Sequence, residues 1–253
     1  MPGKQKIKKK RADLVLLDSG LVNSQSEASA RIMTGKVMYL DHQGKERKVQ
    51  KPGEPIYVGA SFRFTGAQHP YVSRGGLKLE AALQNFDVNP KGKICADIGI
   101  STGGFTDGLL QAGAIKVHGV DVGYGQTAWK IRTDPRVVLY ERTNVRHLAP
   151  DAFQEAIELL TIDVSFIGLA SLLPTLQSFL APDASMLCLV KPQFELPASQ
   201  IPSGGVVSDP HAHRQAVDKV RASAEALGLT VRGEVISPIT GADGNIEYLV
   251  WLQ

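Results

Sequence analysis

The sequence predicts an α/β fold: a mostly parallel, seven-stranded sheet with helices on both faces, preceded by a small α+β domain. Three observations carry that expectation. From residue 71 onward, short apolar runs alternate with stretches of helical periodicity, the pattern of strands joined by crossover helices. The first 60 residues instead read helix, helix, strand, strand, strand. The charge divides near the same place: residues 1–60 hold 12 Lys or Arg against 6 Asp or Glu, net +6, and residues 61–253 are net −3. A basic head on a mildly acidic body points to a polyanionic partner for the head.

The elements follow in order. Residues 1–10 read as a basic tail. Residues 11–60 form the small domain. Its first helix is ADLVLLDSGLV (12–22), and Ser24 with Glu27 makes a Ser-x-x-Glu capping box that opens a second helix closed by Gly35. KVMYLDHQGKERKVQ reads as strand, turn, strand, and KPGEPIYVG as a Pro-Gly turn with a third strand. SFRFTGAQHP (61–70) lacks periodicity and reads as a linker to the second domain, 71–253. There the expected helices are 73–86, 104–113, 151–158, 168–180 and 209–228. The expected strands are 93–99, 116–122, 136–141, 159–165, 185–192, 229–238 and 245–253, the last two paired antiparallel.

Composition narrows the function classes. In 253 residues the hydrophobic share is 43% and the charged share 21%, enough for a real core. No run of about 18 apolar residues exists to cross a membrane as a helix. The basic stretch Met1–Arg11 lacks the apolar segment of a signal peptide. Two cysteines, Cys95 and Cys188, exclude a disulfide scaffold and a cysteine-rich zinc module; in KICADIG and MLCLVKP they read as buried free thiols of a reducing cytosol. The six histidines show no metal-ligand spacing, so no metal is expected.

The loop after the first strand of the second domain holds Asp97, Gly99, Ser101, Gly103 and Gly104 and leads into a helix. Glycines let a ligand approach the backbone, and the helix start offers N–H groups. Asp97 would repel a pyrophosphate and attract an ammonium group. S-adenosylmethionine carries an amino-acid head, a sulfonium and a ribose but no phosphate. Asp121, 22 residues after Gly99 at the end of the next strand, is placed to hold ribose hydroxyls, and Asn144 after the third strand to bond an adenine edge. Four further residues stand at element ends or on the first helix: Lys78, Asp163, Lys191 and Glu247. In an open parallel sheet the carboxyl ends of the strands line the active crevice, which brings Asp163 and Lys191 together beside the donor.

Two resemblances follow from these residues. LLDSGLVNSQSEASARIMTGKVMYLDHQGKERKVQKPGEPIYVG resembles the S-four-like RNA-binding domain, with Ser24-Gln25 in place of the usual Ser-Arg and Tyr39–His42 in place of the usual Val-Asn-Gly turn. YVSRGGLKLEAAL, ADIGISTGGFTDGLLQAGA, VDVGYGQ, DPRVVLYERTNVR, IDVSFIGL, LVKPQFE, GGVVSDPHAHR and SPITGADGNIEYLVWL resemble the TlyA-type ribosomal RNA methyltransferases, in which that domain precedes an FtsJ-like domain. The resemblance implies a Rossmann-like class I methyltransferase that uses S-adenosylmethionine to methylate a cytidine ribose 2′-hydroxyl in rRNA of ribosomal subunits, in the cytoplasm. It maps the Lys-Asp-Lys-Glu tetrad onto Lys78, Asp163, Lys191 and Glu247, with Lys191 central. RNA contacts are assigned to Arg11, Arg31, Lys36 and Arg74. Some relatives are labelled haemolysins, and the lack of an apolar span argues against a pore-forming role.

Two other readings stand beside this one: an RNA base methyltransferase and a non-catalytic RNA-binding assembly factor. Asp163-Val-Ser-Phe166 lacks the prolines of the amino-methylating loop, and Cys188 lies inside a strand, badly placed as a nucleophile. All four tetrad positions being filled argues against a non-catalytic factor.

Overall fold

The structure is a computed structural model that describes residues 8–22, 24–33, 35–65, 69–241 and 243–253. It divides into two compact units, Met1–Gln68 and His69–Gln253.

In the first unit, β1 (Lys9–Arg11) leads into α1 (Ala12–Asp18), followed by α2 (Gln25–Met33), β2 (Val37–Leu40), β3 (Glu46–Lys48), β4 (Pro55–Tyr57) and β5 (Phe62–Phe64). β1 pairs antiparallel with β4, and β2 lies between β3 and β5 in a second small sheet. The Glu27 amide donates to Ser24 Oγ at 3.1 Å, satisfying one of the orphan donors at the start of α2. Val15, Leu16, Ile32, Val37 and Ile56 form the core between helices and sheets. α1 stops at Asp18, short of the expected residue 22, because the chain turns through Gly20 at φ 75°.

Two expected boundaries move. The end of the basic tail is strand: Lys9, Lys10 and Arg11 are all exposed and pair with β4 through their backbones, so no apolar alternation announces them. The expected linker 61–70 contains β5, which pairs with β2 while Phe62 and Phe64 pack on the core. A three-residue strand with a central Arg is too short to show periodicity.

The second unit runs α3 (Gly75–Phe86), β6 (Ile94–Ile98), α4 (Gly104–Gln111), β7 (Lys116–Val120), α5 (Trp129–Arg132), β8 (Val137–Tyr140), β9 (Ile157–Ile162), α6 (Leu173–Gln177), β10 (Leu180–Val190), α7 (Pro192–Glu195), α8 (Pro210–Ala226), β11 (Val231–Ile236) and β12 (Tyr248–Leu252). The sheet order is β11-β12-β10-β9-β6-β7-β8. β6 through β10 pair in parallel, and β12 runs antiparallel to both its neighbours. Successive strand residues alternate between two cores: Ala96, Leu160, Cys188 and Val250 face the side of α6 and α8, while Cys95, Leu159, Leu187 and Leu249 face α3 and α4. Both cysteines are free and buried. Among the described residues no helix is long and apolar enough to cross a membrane.

The segment 151–158, expected as a helix, is a set of turns that enters β9 at Ile157. Gln154 takes φ 57°, which no helix tolerates, and Phe153 turns into the core beside Phe179 at 4.9 Å between ring centroids. The expected helix 168–180 is a 3-10 turn at Leu169–Ser171 followed by the short α6, with Pro174 in its first turn. α5 had no counterpart in the sequence reading; four residues carry too little periodicity.

Candidate active site

β6 is flanked by β7 on one side and β9 on the other, so strand order reverses there and opens a crevice at the carboxyl ends. The glycine loop fills the step from β6 into α4. Gly99 has φ 86° and Gly103 φ 93°, and Ser101 between them has φ 47°, so the loop is built from left-handed turns. A Cβ on Gly104 would lie 2.2 Å from Ser73 Oγ and 3.0 Å from the Gly76 amide, so the glycine lets α3 and α4 touch.

Asp121 sits one residue beyond β7, half-buried. Its carboxylate accepts from the Ser101 and Gly123 amides, each at 2.7 Å. The acid therefore braces the glycine loop and still borders the crevice. Asn144 is exposed and caps the turn after β8, its Oδ1 accepting from the Arg146 amide at 3.1 Å.

Asp97, expected to attract an ammonium group, lies beneath the loop. It is 0% exposed. One carboxylate oxygen accepts from the Thr106 amide and hydroxyl at 3.0 and 2.7 Å, and the other from the Thr161 hydroxyl at 3.1 Å. Burial pushes its carboxyl up to about 7, against the pull of those hydrogen bonds. Asp97 fastens β6, β9 and the first turn of α4 together from inside, and so shapes the loop. The sequence showed an acid before the loop but not the two threonines that enclose it.

The four charged residues form two ion pairs. Lys191 Nζ lies 2.6 Å from Asp163 Oδ1 and donates to Ser165 Oγ at 3.1 Å. Lys78 Nζ lies 2.5 Å from Glu247 Oε2. Lys78, Lys191 and Glu247 are buried. Asp163 and Lys191 each stand one residue beyond their strands, β9 and β10. Glu247 stands one residue before β12, where the antiparallel ladder pairs Val190 with Tyr248; one further step places Lys191 across from Glu247. Lys78 comes from α3 to meet it. Three neighbouring strand ends and one helix thus supply the tetrad, and sheet register does the assembling. Ser165 was not singled out in the sequence, where nothing separates it from other loop serines.

Of the residues expected to contact RNA, Arg11, Arg31 and Lys36 belong to the first unit and Arg74 to the second. Arg11 pairs with the buried Asp13 at 2.6 Å, which holds that carboxyl down at about 2. Arg31 pairs with Glu27 and lies 5.0 Å from the Phe64 ring centroid. Lys36 is exposed at the start of β2, and Arg74 is exposed just before α3 in the second unit.

Residues 71–253 match the FtsJ-like methyltransferase family. The chain belongs to that family. A Bacillus subtilis relative, YqxC, described as a candidate rRNA methyltransferase, is 46% identical over 97% of this chain and 86% of its own length. The 16S/23S rRNA (cytidine-2′-O)-methyltransferase TlyA of Mycobacterium tuberculosis is 42% identical over 96% of this chain and 89% of its own length. A solved structure described as a candidate hemolysin from Streptococcus thermophilus superposes with a TM-score of 0.73 at 41% identity, covering 97% of this chain and 88% of that one. The FtsJ-like match spans α3 to β12, so the glycine loop and all four tetrad residues fall inside the methyltransferase domain.

Proposed function

We propose that this FtsJ-like methyltransferase uses S-adenosylmethionine to methylate a ribose 2′-hydroxyl, of cytidine, in the rRNA of ribosomal subunits in the cytoplasm. The observation that carries the reading is the Lys191–Asp163 pair, its lysine buried, at the strand ends beside a glycine loop. The crevice fits the donor chemically. Its loop is backbone whose glycines have no room for a side chain against Asp163, Ile131 and Ser73, and the group at its rim is the acid Asp121, suited to ribose hydroxyls and repelling a phosphate. Gly99, Ser101, Gly103, Gly104, Asp121 and Asn144 would hold the donor, which supplies a sulfonium-activated methyl group.

A 2′-hydroxyl is a poor nucleophile because it keeps its proton. Placing oxygen and methyl in line accounts for roughly 7–11 kcal/mol in favourable cases. Lys191 has two of its N–H directions fixed by Asp163 and Ser165, leaving its third for the 2′-oxygen. It orients that oxygen and stabilises the charge that grows there; as Lys191 Nζ passes a proton to Asp163 Oδ1, the lone pair this frees takes the 2′-hydroxyl proton, leaving ammonium and carboxylic acid. Lys78 and Glu247 hold the neighbouring wall. The first unit, read as an S-four-like domain, brings RNA through Lys36 and its neighbours, with Arg74 at the start of the second unit. RNA rather than DNA follows from the hydroxyl itself.

The relatives YqxC and TlyA, named for rRNA methylation, support rRNA as substrate. The test is to incubate the protein with ribosomal subunits and labelled donor, digest the RNA and locate the methyl by mass spectrometry. A 2′-O-methylated cytidine supports the reading; methyl on a base, or none, refutes it.

A further inference from the structure

Both halves of the Lys191–Asp163 pair stand where strands end and loops begin, so something must hold the two loops in register. After Asp163 the chain runs through Ser165 to Gly168 and the 3-10 turn at Leu169. After Lys191 it turns into α7, with the Phe194 and Glu195 amides bonded to the Lys191 carbonyl at 2.9 and 3.3 Å. Glu195 closes that turn. It is 2% exposed, and its Oε1 accepts from the Leu169 amide, across the gap between the loops. Its Oε2 has no hydrogen-bond partner; Lys219 Nζ lies 3.8 Å from it and donates instead to the Glu195 carbonyl at 2.5 Å. A second contact spans the same gap, the Phe166 and Phe194 rings at 5.4 Å.

A buried carboxylate with one oxygen lacking a hydrogen bond is costly, and burial raises its pKa against the pull of the Leu169 amide and of Lys219. An apolar side chain would fill the space at lower cost. What an apolar side chain cannot do is bond the Leu169 amide. Gly168 fits the same close approach of the two loops: a Cβ there would lie 3.1 Å from both Glu195 Oε2 and the Phe194 carbonyl oxygen, although its φ of −73° suits any residue. We propose that Glu195 is a positioning residue: its carboxylate straps the loop 164–169 to the turn after Lys191, and so keeps Asp163 and Ser165 around Lys191 Nζ. This rests on the methyltransfer reading above for its catalytic consequence, but not for the strap itself.

The test uses the full chain with Glu195→Ala, Glu195→Gln and Gly168→Ala. Gln keeps a carbonyl oxygen for the Leu169 amide; Gly168→Ala leaves the charge in place and pushes on it. Amide hydrogen exchange reads the strap, and single-turnover methyl transfer to ribosomal subunits reads its consequence. We expect exchange at 165–169 to rise roughly tenfold or more in Glu195→Ala and less in Gly168→Ala, with Glu195→Gln near the parent. Transfer should fall about tenfold or more in Glu195→Ala, with donor Kd and RNA KM within about twofold, and return to within about threefold in Glu195→Gln. Unchanged exchange in Glu195→Ala would overturn the strap whether or not the protein methylates RNA. If Glu195→Ala does not fold, unchanged exchange in Gly168→Ala would overturn it equally. Raised exchange with near-parental transfer would overturn the positioning role. A parent that transfers no methyl, with exchange behaving as expected, would refute the methyltransfer reading and leave the strap standing.

Discussion

Gly99 faces Asp163 so closely that a Cβ on the glycine would lie 2.3 Å from the Asp163 carbonyl oxygen. The Asp163 amide donates to the Ile98 carbonyl at 2.9 Å along the same seam. The loop that would cradle the donor and the acid that fixes Lys191 therefore share one backbone contact. The glycine loop and the Asp163 end of the tetrad are set by the same pair of strands, β6 and β9.

Gly99→Ala should damage both at once. It adds a clash with backbone at a position whose φ of 86° already disfavours any side chain. The expected loss is on the order of 1–3 kcal/mol from conformation alone. Thermal denaturation should show a lower Tm, and calorimetry a weaker donor affinity.

Asp97 should make stability depend on pH with a sign opposite to that of a salt-bridged acid. Its carboxyl rises from 3.8 to about 7 on folding, so the folded protein binds this proton more tightly than the unfolded chain. Stability from this group is present at low pH and declines as pH rises from about 4 to about 7. Asp97→Asn should flatten that segment of a Tm-against-pH curve, with little direct effect on donor contacts.

Glu247→Ala should leave Lys78 buried without its partner. Breaking one side of a buried pair costs about 3–5 kcal/mol, measurable as a lower denaturant midpoint with unchanged m. Replacing both residues by apolar ones of similar size should restore much of the stability but not methyl transfer.

Much of this architecture was legible in the sequence, for identifiable reasons. Fully buried parallel strands such as Ile94–Ile98 and Ile157–Ile162 are apolar runs bounded by loops, and each is followed by the residue that matters: Gly99 after one and Asp163 after the other. The antiparallel last pair followed from the short connection before β12. What the sequence hid has short range or depends on three dimensions. β1 and β5 span three residues each, and Gln154 breaks a helical pattern with a single left-handed φ. Asp97 read as a ligand because an acid just before a glycine loop would repel a pyrophosphate and attract an ammonium group. Only the fold brings Thr106 and Thr161 to it. Glu195 likewise looks like an ordinary surface acid until Leu169 is seen across from it.

Lys36→Glu should weaken RNA binding across sequences and lower the slope of log affinity against log salt by about 1, as expected for one lost phosphate contact. Filter binding at several salt concentrations checks this. Lys36 is the sharper choice than Arg11 or Arg31, whose guanidinium groups already pair with Asp13 and Glu27.

The central claim, that Lys191 works directly on the 2′-hydroxyl, is tested most directly by single-turnover transfer with Lys191→Ala on ribosomal subunits, alongside donor calorimetry on the same sample. The account predicts transfer reduced by roughly 10²-fold or more, with donor affinity nearly unchanged. Transfer at the parental rate by a variant that folds and binds donor would contradict it.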